Sequence, residues 1–208
     1  MKSELMKNKS FNKIFCIGLN KTGTTSLHYA FLMLGLRSLH WAPSDLDSTG
    51  EMMIVSKTIR QEMNQALKKN KPMLGRWSNY DAYSDIYPII KKFHILDKQY
   101  PNSKFIYTDR DEDAWIKSRV KHINQNLAAK ERGDYDSPFV KIDEPKWRQE
   151  KRDHYQAVSE YFADRPQDLL VMNICAGDGF ERLAPFLGLP IPTEGFPHKN
   201  VSNTQLKV

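Results

Sequence analysis

Hydrophobic and polar positions follow two alternating patterns along this chain. Short apolar runs of strand length are each followed by a longer stretch in which apolar residues recur every three or four positions, the spacing of one helix face. The runs predict five strands, over residues 14–19, 37–41, 72–77, 104–108 and 169–174. The periodic stretches predict six helices, over residues 24–34, 51–69, 85–100, 111–130, 147–163 and 179–187.

The regular alternation of strands and helices, without hairpin signals, favours a parallel sheet covered by helices on both faces. We therefore predict an α/β fold of three layers, α/β/α, around a central parallel sheet. The 208 residues are enough for one domain and too few for two, and residues 1–12 and 202–208 are expected to be flexible tails. The Pro-rich segment 190–208 fits either a frayed tail or a loop that folds back over a ligand.

The composition adds few constraints. The chain has 31 Lys and Arg residues against 25 Asp and Glu residues, a formal charge of +6, which suits an anionic ligand but also an ordinary solvated surface. Its two cysteines, Cys16 and Cys175, lack the spacing of a metal site or a disulfide framework. No signal peptide is recognisable, and no apolar run reaches the ~18 residues of a membrane span. We expect a cytoplasmic protein with no bound metal and no membrane span.

The segment from Gly18 to Ser26, here called the glycine loop, reads Gly-Leu-Asn-Lys-Thr-Gly-Thr-Thr-Ser. It joins a predicted buried strand to a predicted helix, where backbone N–H groups and the helix N-terminus bind anions. The spacing of its glycines is that of the nucleotide-triphosphate loop GxxxxGK[ST]. Thr24 takes the place of that lysine, however, and Lys21 lies inside the loop. A simple Thr- and Ser-rich helix cap is the alternative.

A second motif follows the predicted strand 104–108. Arg110 begins the segment Arg-Asp-Glu-Asp-Ala-Trp-Ile-Lys-Ser, which ends at Ser118. Arg110 is placed at the ligand-binding edge of a parallel sheet, and Ser118 follows about two helical turns later on a similar face. The two side chains are therefore candidates to bind one phosphate. The alternative is an ion pair of Arg110 with a nearby carboxylate such as Asp113, and Ser118 on the helix surface.

These two motifs resemble those of the sulfotransferases that use 3′-phosphoadenosine 5′-phosphosulfate (PAPS). The resemblance implies a P-loop-like sulfotransferase fold and places the 5′-phosphosulfate at the glycine loop, with the ligands Lys21, Thr22, Gly23, Thr24, Thr25 and Ser26. It implies that Arg110 and Ser118 bind the 3′-phosphate, which remains on the product adenosine 3′,5′-bisphosphate. The segments 178–188 and 196–200 are similar to the C-terminal part of these enzymes, which implies positions near the cofactor for His198, Lys199 and Asn200.

Sulfuryl transfer needs positive charge on the departing phosphate and a base for the acceptor proton. We assign the first role to Lys21. The candidates for the base are Asp81, Asp85 and His40, and the sequence does not decide between them. Asp81 and Asp85 follow the predicted strand 72–77 and are expected at the same sheet edge as Lys21. A helix-capping role is the alternative for both carboxylates.

Other functions remain open at this point. A nucleotide kinase that uses ATP and Mg²⁺ would employ Asp109, at the end of a strand, as its metal ligand. A nucleic-acid-binding protein is disfavoured because the basic runs are short, and a descendant that binds the nucleotide without catalysis is a third alternative. The acceptor is expected to be a hydroxyl or amine of a carbohydrate or small molecule; its identity and the oligomeric state are not determined by the sequence.

Overall fold

The computed structural model describes residues 10–41, 50–134 and 139–199, without the side chains of 50–54. The chain forms two compact units: one contains the chain up to Asp109 and from Arg165 onward, and the other runs from Arg110 to Asp164. That residues 1–208 act as a single domain stays a prediction. Within the predicted N-terminal tail, Phe11 is buried in the core of the first unit.

The first unit is built around a parallel sheet of five strands in the order β2-β3-β1-β4-β5. The strands are β1 (Ile14–Cys16), β2 (Ser38–His40), β3 (Ala82–Ser84), β4 (Lys104–Thr108) and β5 (Leu169–Met172). The helices, in chain order, are α1 (Thr24–Met33), α2 (Gly50–Lys68), α3 (Tyr87–Lys91), α4 (Phe93–Gln99), α5 (Glu112–Glu131), α6 (Glu144–Tyr161) and α7 (Phe180–Leu187). The parallel sheet flanked by helices confirms the predicted α/β class and is that of a P-loop-like sulfotransferase fold.

Both faces of the sheet are covered, because side chains of a strand alternate between its faces. On one face, Ile14 and Cys16 of β1 belong to a buried cluster with Leu27 of α1 and Leu183 of α7. On the other face the ring of Phe15 stacks on Tyr83 with centroids 5.5 Å apart, and it packs at a tilt against Phe105 and Tyr100, at 5.5 and 6.0 Å. Strands that are buried on both sides read as continuous apolar runs, which explains why β1 and β4 were visible in the sequence.

The strand predicted over 72–77 is wrong. Met73 and Leu74 are buried, but they precede a 3-10 turn at Gly75–Asn79. Gly75 has a φ of +49°, in the left-handed region that a strand does not use. The third strand is β3 instead, whose three residues follow a polar Asp81 and gave no apolar run of their own.

Most helix predictions are confirmed with changed ends. The predicted helix 85–100 is two helices, α3 and α4, separated at Lys92, whose φ of −120° is not helical. α6 begins at Glu144, three residues before its predicted start, because the Asp143 carboxylate caps it by accepting the Lys146 N–H (3.2 Å). Gly35, with a φ of +78°, ends α1 as a left-handed C-terminal residue should.

The second unit packs α5 against α6 around a buried arginine. The Arg119 guanidinium lies over the rings of Trp115, Phe139 and Trp147, at 4.8, 5.3 and 4.4 Å from their centroids. Aromatic faces stabilise a cation in such positions. Among residues 10–41, 50–134 and 139–199, no helix has both the length and the apolar character needed to cross a membrane.

Candidate active site

The strand order of the sheet reverses at the carboxyl ends of β1 and β4. The chain leaves β1 toward β2 on one side and later enters β4 on the other side. In open α/β sheets, ligands bind outside the carboxyl ends of strands where the strand order reverses in this way. The glycine loop leaves β1 at this point, as the sequence predicted.

The backbone of the glycine loop takes conformations that suit an anion-binding turn. Lys21 has a φ of +67°, a left-handed conformation that is uncommon for a residue with a side chain and is concentrated at functional sites. Gly23, with a φ of +96°, is the N-cap of α1, and no side chain of the described residues caps this helix. The first four N–H groups of a helix have no partner within it, so this N-terminus is suited to an anion.

Gly18 allows the glycine loop to lie against the end of β4. A Cβ atom on Gly18 would lie 2.1 Å from Thr108 Oγ1 and 2.6 Å from the Thr108 backbone nitrogen. A Cβ atom does not approach a non-bonded atom so closely, so a residue with a side chain would push the two strands apart. The first glycine of the motif is therefore required by packing between β1 and β4.

The hydroxyl groups of the loop have different surroundings. Thr22 Oγ1 donates a hydrogen bond to the Leu19 carbonyl (2.5 Å) and lies 2.6 Å from Thr108 Oγ1, so this hydroxyl is held inside the protein. Thr24 and Ser26 are also buried, whereas Thr25 is half-buried. Within the proposed ligand set, Thr22 is thus able to offer its backbone N–H rather than its hydroxyl.

The C-terminal segment folds back onto the start of α1. The Lys199 N–H donates to Ser26 Oγ (3.0 Å), and Lys199 Nζ lies 4.8 Å from the centroid of the Tyr29 ring. Phe196 packs against Phe180 with ring centroids 5.0 Å apart. Up to Lys199, the segment is therefore held against α1 and α7 rather than frayed; that it folds over a ligand stays a prediction.

The remaining C-terminal candidates are His198 and Asn200. His198 is exposed, with its ring 6.5 Å from that of Phe196. Asn200 lies outside the described residues, as do residues 202–208 of the predicted C-terminal tail.

The carboxyl ends of β2 and β3 bring His40 and Asp85 together. His40 Nε2 lies 3.8 Å from Asp85 Oδ2, which is an ion-pair distance but too long for a hydrogen bond. Burial lowers the pKa of His40 from 6.5 to about 4, so its imidazole is neutral at pH 7 and takes up a proton less readily than an exposed histidine does. Asp85 has a φ of +56°, the same uncommon left-handed conformation as Lys21.

His28 of α1 contacts both His40 and Ser38 of β2. Its ring stacks on that of His40 with centroids 5.3 Å apart, and its Nδ1 lies 2.8 Å from Ser38 Oγ. Burial, and then the nearby His40, lower the pKa of His28 to about 4. His28 is therefore a buried neutral side chain that links α1 to β2, a role that its position in a predicted helix did not reveal.

Asp81 lies at the opposite edge of the sheet from the glycine loop, contrary to expectation. It precedes β3 rather than following a strand, and its backbone carbonyl accepts the N–H of Ile14 at the start of β1 (2.8 Å). Its buried carboxylate accepts the Arg37 N–H (2.9 Å). The expectation failed because the third strand was predicted ten residues too early.

In the second unit, Arg110 lies two residues before α5, and Ser118 lies in the second turn of that helix. Asp111 is the N-cap, with its carboxylate accepting the Ala114 N–H (2.8 Å), and Ser118 is half-buried. Asp113, the alternative partner considered for Arg110, forms an ion pair with Arg148 Nη2 (2.7 Å). No three His, Cys, Asp or Glu side chains within the described ranges are grouped so that they could hold a metal ion.

Both sequence motifs lie within the range that matches a known protein family. A model of the sulfotransferase domain family matches residues 13–144 and 135–205, a range that includes the glycine loop, Arg110, Ser118 and the C-terminal segment. The chain is also 23% identical to Ava biosynthesis cluster protein M of Aspergillus versicolor over 218 residues, which cover 89% of this chain and 80% of that protein. Because the family model matches far more than half of its length, this chain belongs to the sulfotransferase family.

Proposed function

We propose that this protein transfers a sulfuryl group from PAPS to a hydroxyl or amine of a small molecule or carbohydrate. The proposal rests on one observation above all: the glycine loop carries Lys21 inside a left-handed turn, directly before the N-terminus of α1 at the β1–β4 crevice. An ammonium group in this place provides charge for a phosphosulfate without a bridging metal. The biosynthetic cluster named for the relative from Aspergillus versicolor favours a small-molecule acceptor.

The donor groups of the glycine loop would stabilise the charge that develops during transfer. As the bond between sulfur and the bridging phosphate oxygen breaks, that oxygen becomes anionic. Lys21 and the N–H groups of residues 22–26 are the donors that we assign to it, and donors fixed in advance act most strongly on developing charge. The acceptor oxygen or nitrogen attacks the sulfur in line with the leaving oxygen, so positioning supplies much of the rest.

Arg110 and Ser118 are proposed to bind the 3′-phosphate on the basis of their motif. A guanidinium presents a fork of N–H donors that matches phosphate oxygens, and a hydroxyl adds one more donor. Recognition of this phosphate would separate PAPS from ordinary adenine nucleotides. His198, Lys199 and Asn200 are proposed to lie near the bound nucleotide; the hydrogen bond from Lys199 to Ser26 supports this for Lys199.

Asp85 is our proposed general base, with His40 beside it. Asp85 follows β3 and thus lies at the same sheet edge as the glycine loop, and its side chain is 28% exposed whereas that of His40 is 11% exposed. The more accessible carboxylate would take the proton of the acceptor. The neutral His40 lies beside this carboxylate, 3.8 Å away, which is too far for a hydrogen bond.

The proposal is tested by calorimetric binding of adenosine 3′,5′-bisphosphate in the presence of EDTA, with ATP and Mg²⁺ as the competing ligand. We expect the bisphosphate to bind more tightly. Lys21→Ala should weaken this binding about tenfold or more and lower sulfate transfer from radiolabelled PAPS by about 10²–10³-fold. Lys68→Ala, at an exposed position of α2, is the matched control. Tighter binding of ATP with Mg²⁺ would instead indicate a kinase.

A further inference from the structure

Three buried side chains lie in a row beneath the glycine loop. Cys16 Sγ of β1 is 3.8 Å from Thr108 Oγ1 at the end of β4, and Thr108 Oγ1 is 2.6 Å from Thr22 Oγ1 in the loop. Thr22 Oγ1 in turn donates to the Leu19 carbonyl at 2.5 Å. All three side chains are at most 1% exposed. Thr108 belongs to neither of the motifs found in the sequence.

The direction of these hydrogen bonds follows from counting hydrogens. A threonine hydroxyl has one hydrogen, and that of Thr22 is donated to Leu19. The bond between the two threonines must therefore use the hydrogen of Thr108. Since the Thr108 hydrogen is used in turn, the Cys16 thiol is the donor to Thr108 Oγ1. Burial raises the pKa of Cys16 to about 12, so this thiol keeps its proton at neutral pH.

The result is a chain of donors that runs in one direction, from the Cys16 thiol through both hydroxyls to the carbonyl of Leu19. Hydrogen bonds that follow one another in this way strengthen each other in a buried environment. The chain ends two residues before Lys21, whose left-handed backbone is unfavourable for a residue with a side chain and needs support from its surroundings.

From this geometry we infer that Thr108 is a positioning residue of the donor site: its hydroxyl holds Thr22 and the Leu19 carbonyl, and so fixes the backbone turn that presents Lys21. The inference rests on the proposed function insofar as the ligand is PAPS. The contact itself, by which one hydroxyl of β4 holds the glycine loop, does not depend on which ligand binds. Ile106, two residues earlier on the same strand face, already makes the apolar contact here. We therefore attribute the role of Thr108 to its hydroxyl.

Two substitutions separate the hydroxyl of Thr108 from its methyl group. Thr108→Val keeps the branched shape and removes the hydroxyl, whereas Thr108→Ser keeps the hydroxyl and removes the methyl group. We expect Thr108→Val to raise the Kd of adenosine 3′,5′-bisphosphate about fivefold, the effect of one lost hydrogen bond of average strength, and Thr108→Ser to bind within about twofold of the wild type.

Hydrogen exchange of the unliganded protein gives a second measurement. Amides in a peptide that spans residues 18–26 should exchange about tenfold faster in Thr108→Val than in the wild type, with Thr108→Ser close to the wild type. Peptides from α4 and α7 are the internal controls, because a general loss of stability would accelerate their exchange as well.

The outcomes distinguish the inference from the proposed function. If wild-type protein does not bind the bisphosphate but the loop exchanges faster only in Thr108→Val, the proposed function fails and the positioning role stands. If the bisphosphate binds equally to wild type and to Thr108→Val, or if loop and control peptides accelerate together, the positioning role is overturned. Equal weakening by Ser and Val would also overturn it, because the hydroxyl that Thr108→Ser retains would then not be enough to hold the loop.

Discussion

Single residues at the ends of β1 and β4 decide how closely the two strands approach. Gly18 is in contact with Thr108 at a distance that leaves no room for a methyl group. The sequence indicated a glycine with the spacing of an anion-binding loop, but it could not show that the packing partner is a threonine 90 positions later. Motif spacing reports the local backbone, whereas the partner across the crevice depends on the strand order.

Gly18→Ala should therefore be strongly destabilising. We expect the free energy of unfolding to fall by about 1–3 kcal/mol or more, because the new Cβ atom would overlap both the side chain and the backbone of Thr108. Urea denaturation measures the change. Gly195→Ala is the control, since none of the described atoms lies within 4 Å of its added Cβ; equal stability of the two variants would contradict the described contact.

The two aspartates on either side of β3 are expected to behave differently. Asp85→Asn should lower the rate of sulfate transfer by about 10²–10⁴-fold, with binding of adenosine 3′,5′-bisphosphate close to that of the wild type. Asp81→Asn should leave the transfer rate within about threefold, because this carboxylate accepts the Arg37 N–H at the other edge of the sheet. Rates are measured with radiolabelled PAPS and a panel of phenols, amines and sugars. A selective loss in Asp81→Asn would reverse the assignment.

Among the strands and helices, the sequence predicted best those that are marked by a local pattern of residues. β4 was predicted with its observed ends, and α5 within one residue at each end, because a continuous apolar run defines the first and acidic residues in the first turn mark the second. β3 was missed because a strand of three residues is stabilised by its neighbours β1 and β2. No local pattern could distinguish it from the buried turn at 73–74.

The contact between α1 and β2 has a consequence for the pH dependence of stability. His28 and His40 are neutral in the folded protein down to a pKa of about 4, but in the unfolded chain they take up protons below about pH 6.5. The unfolded state therefore binds more protons between these values. Stability that is present above pH 6.5 is lost as the pH falls toward 4, by about 2 kcal/mol for each histidine at pH 5.

This is tested by urea denaturation at pH 7.5 and pH 5. The loss of unfolding free energy between the two conditions should be smaller in His28→Asn than in the wild type. His198→Gln, at an exposed position, should lose as much stability as the wild type. The expectation fails if His28→Asn and the wild type show the same loss, because His28 would then titrate alike in the folded and unfolded chain.

For the molecule as a whole, the fold class and family followed from the order of motifs, whereas the catalytic base did not. Lys21, at the end of β1, could be assigned a role from its place in the glycine loop. His40 and Asp85 come from different strands, so their proximity depends on β2 and β3 being neighbours. The role of Thr108 depends in the same way on β1 and β4. The contacts that could not be predicted from the sequence are therefore mostly those between residues at the ends of different strands.

The hydrogen bond between Lys199 and Ser26 joins positions 173 residues apart. Chains fold during synthesis from the amino end, and pairings between such distant positions form late because a long loop must close first. Ser26 is thus synthesised well before its partner Lys199. All five strands precede Lys199 in the sequence, so we expect the sheet to form before this hydrogen bond does.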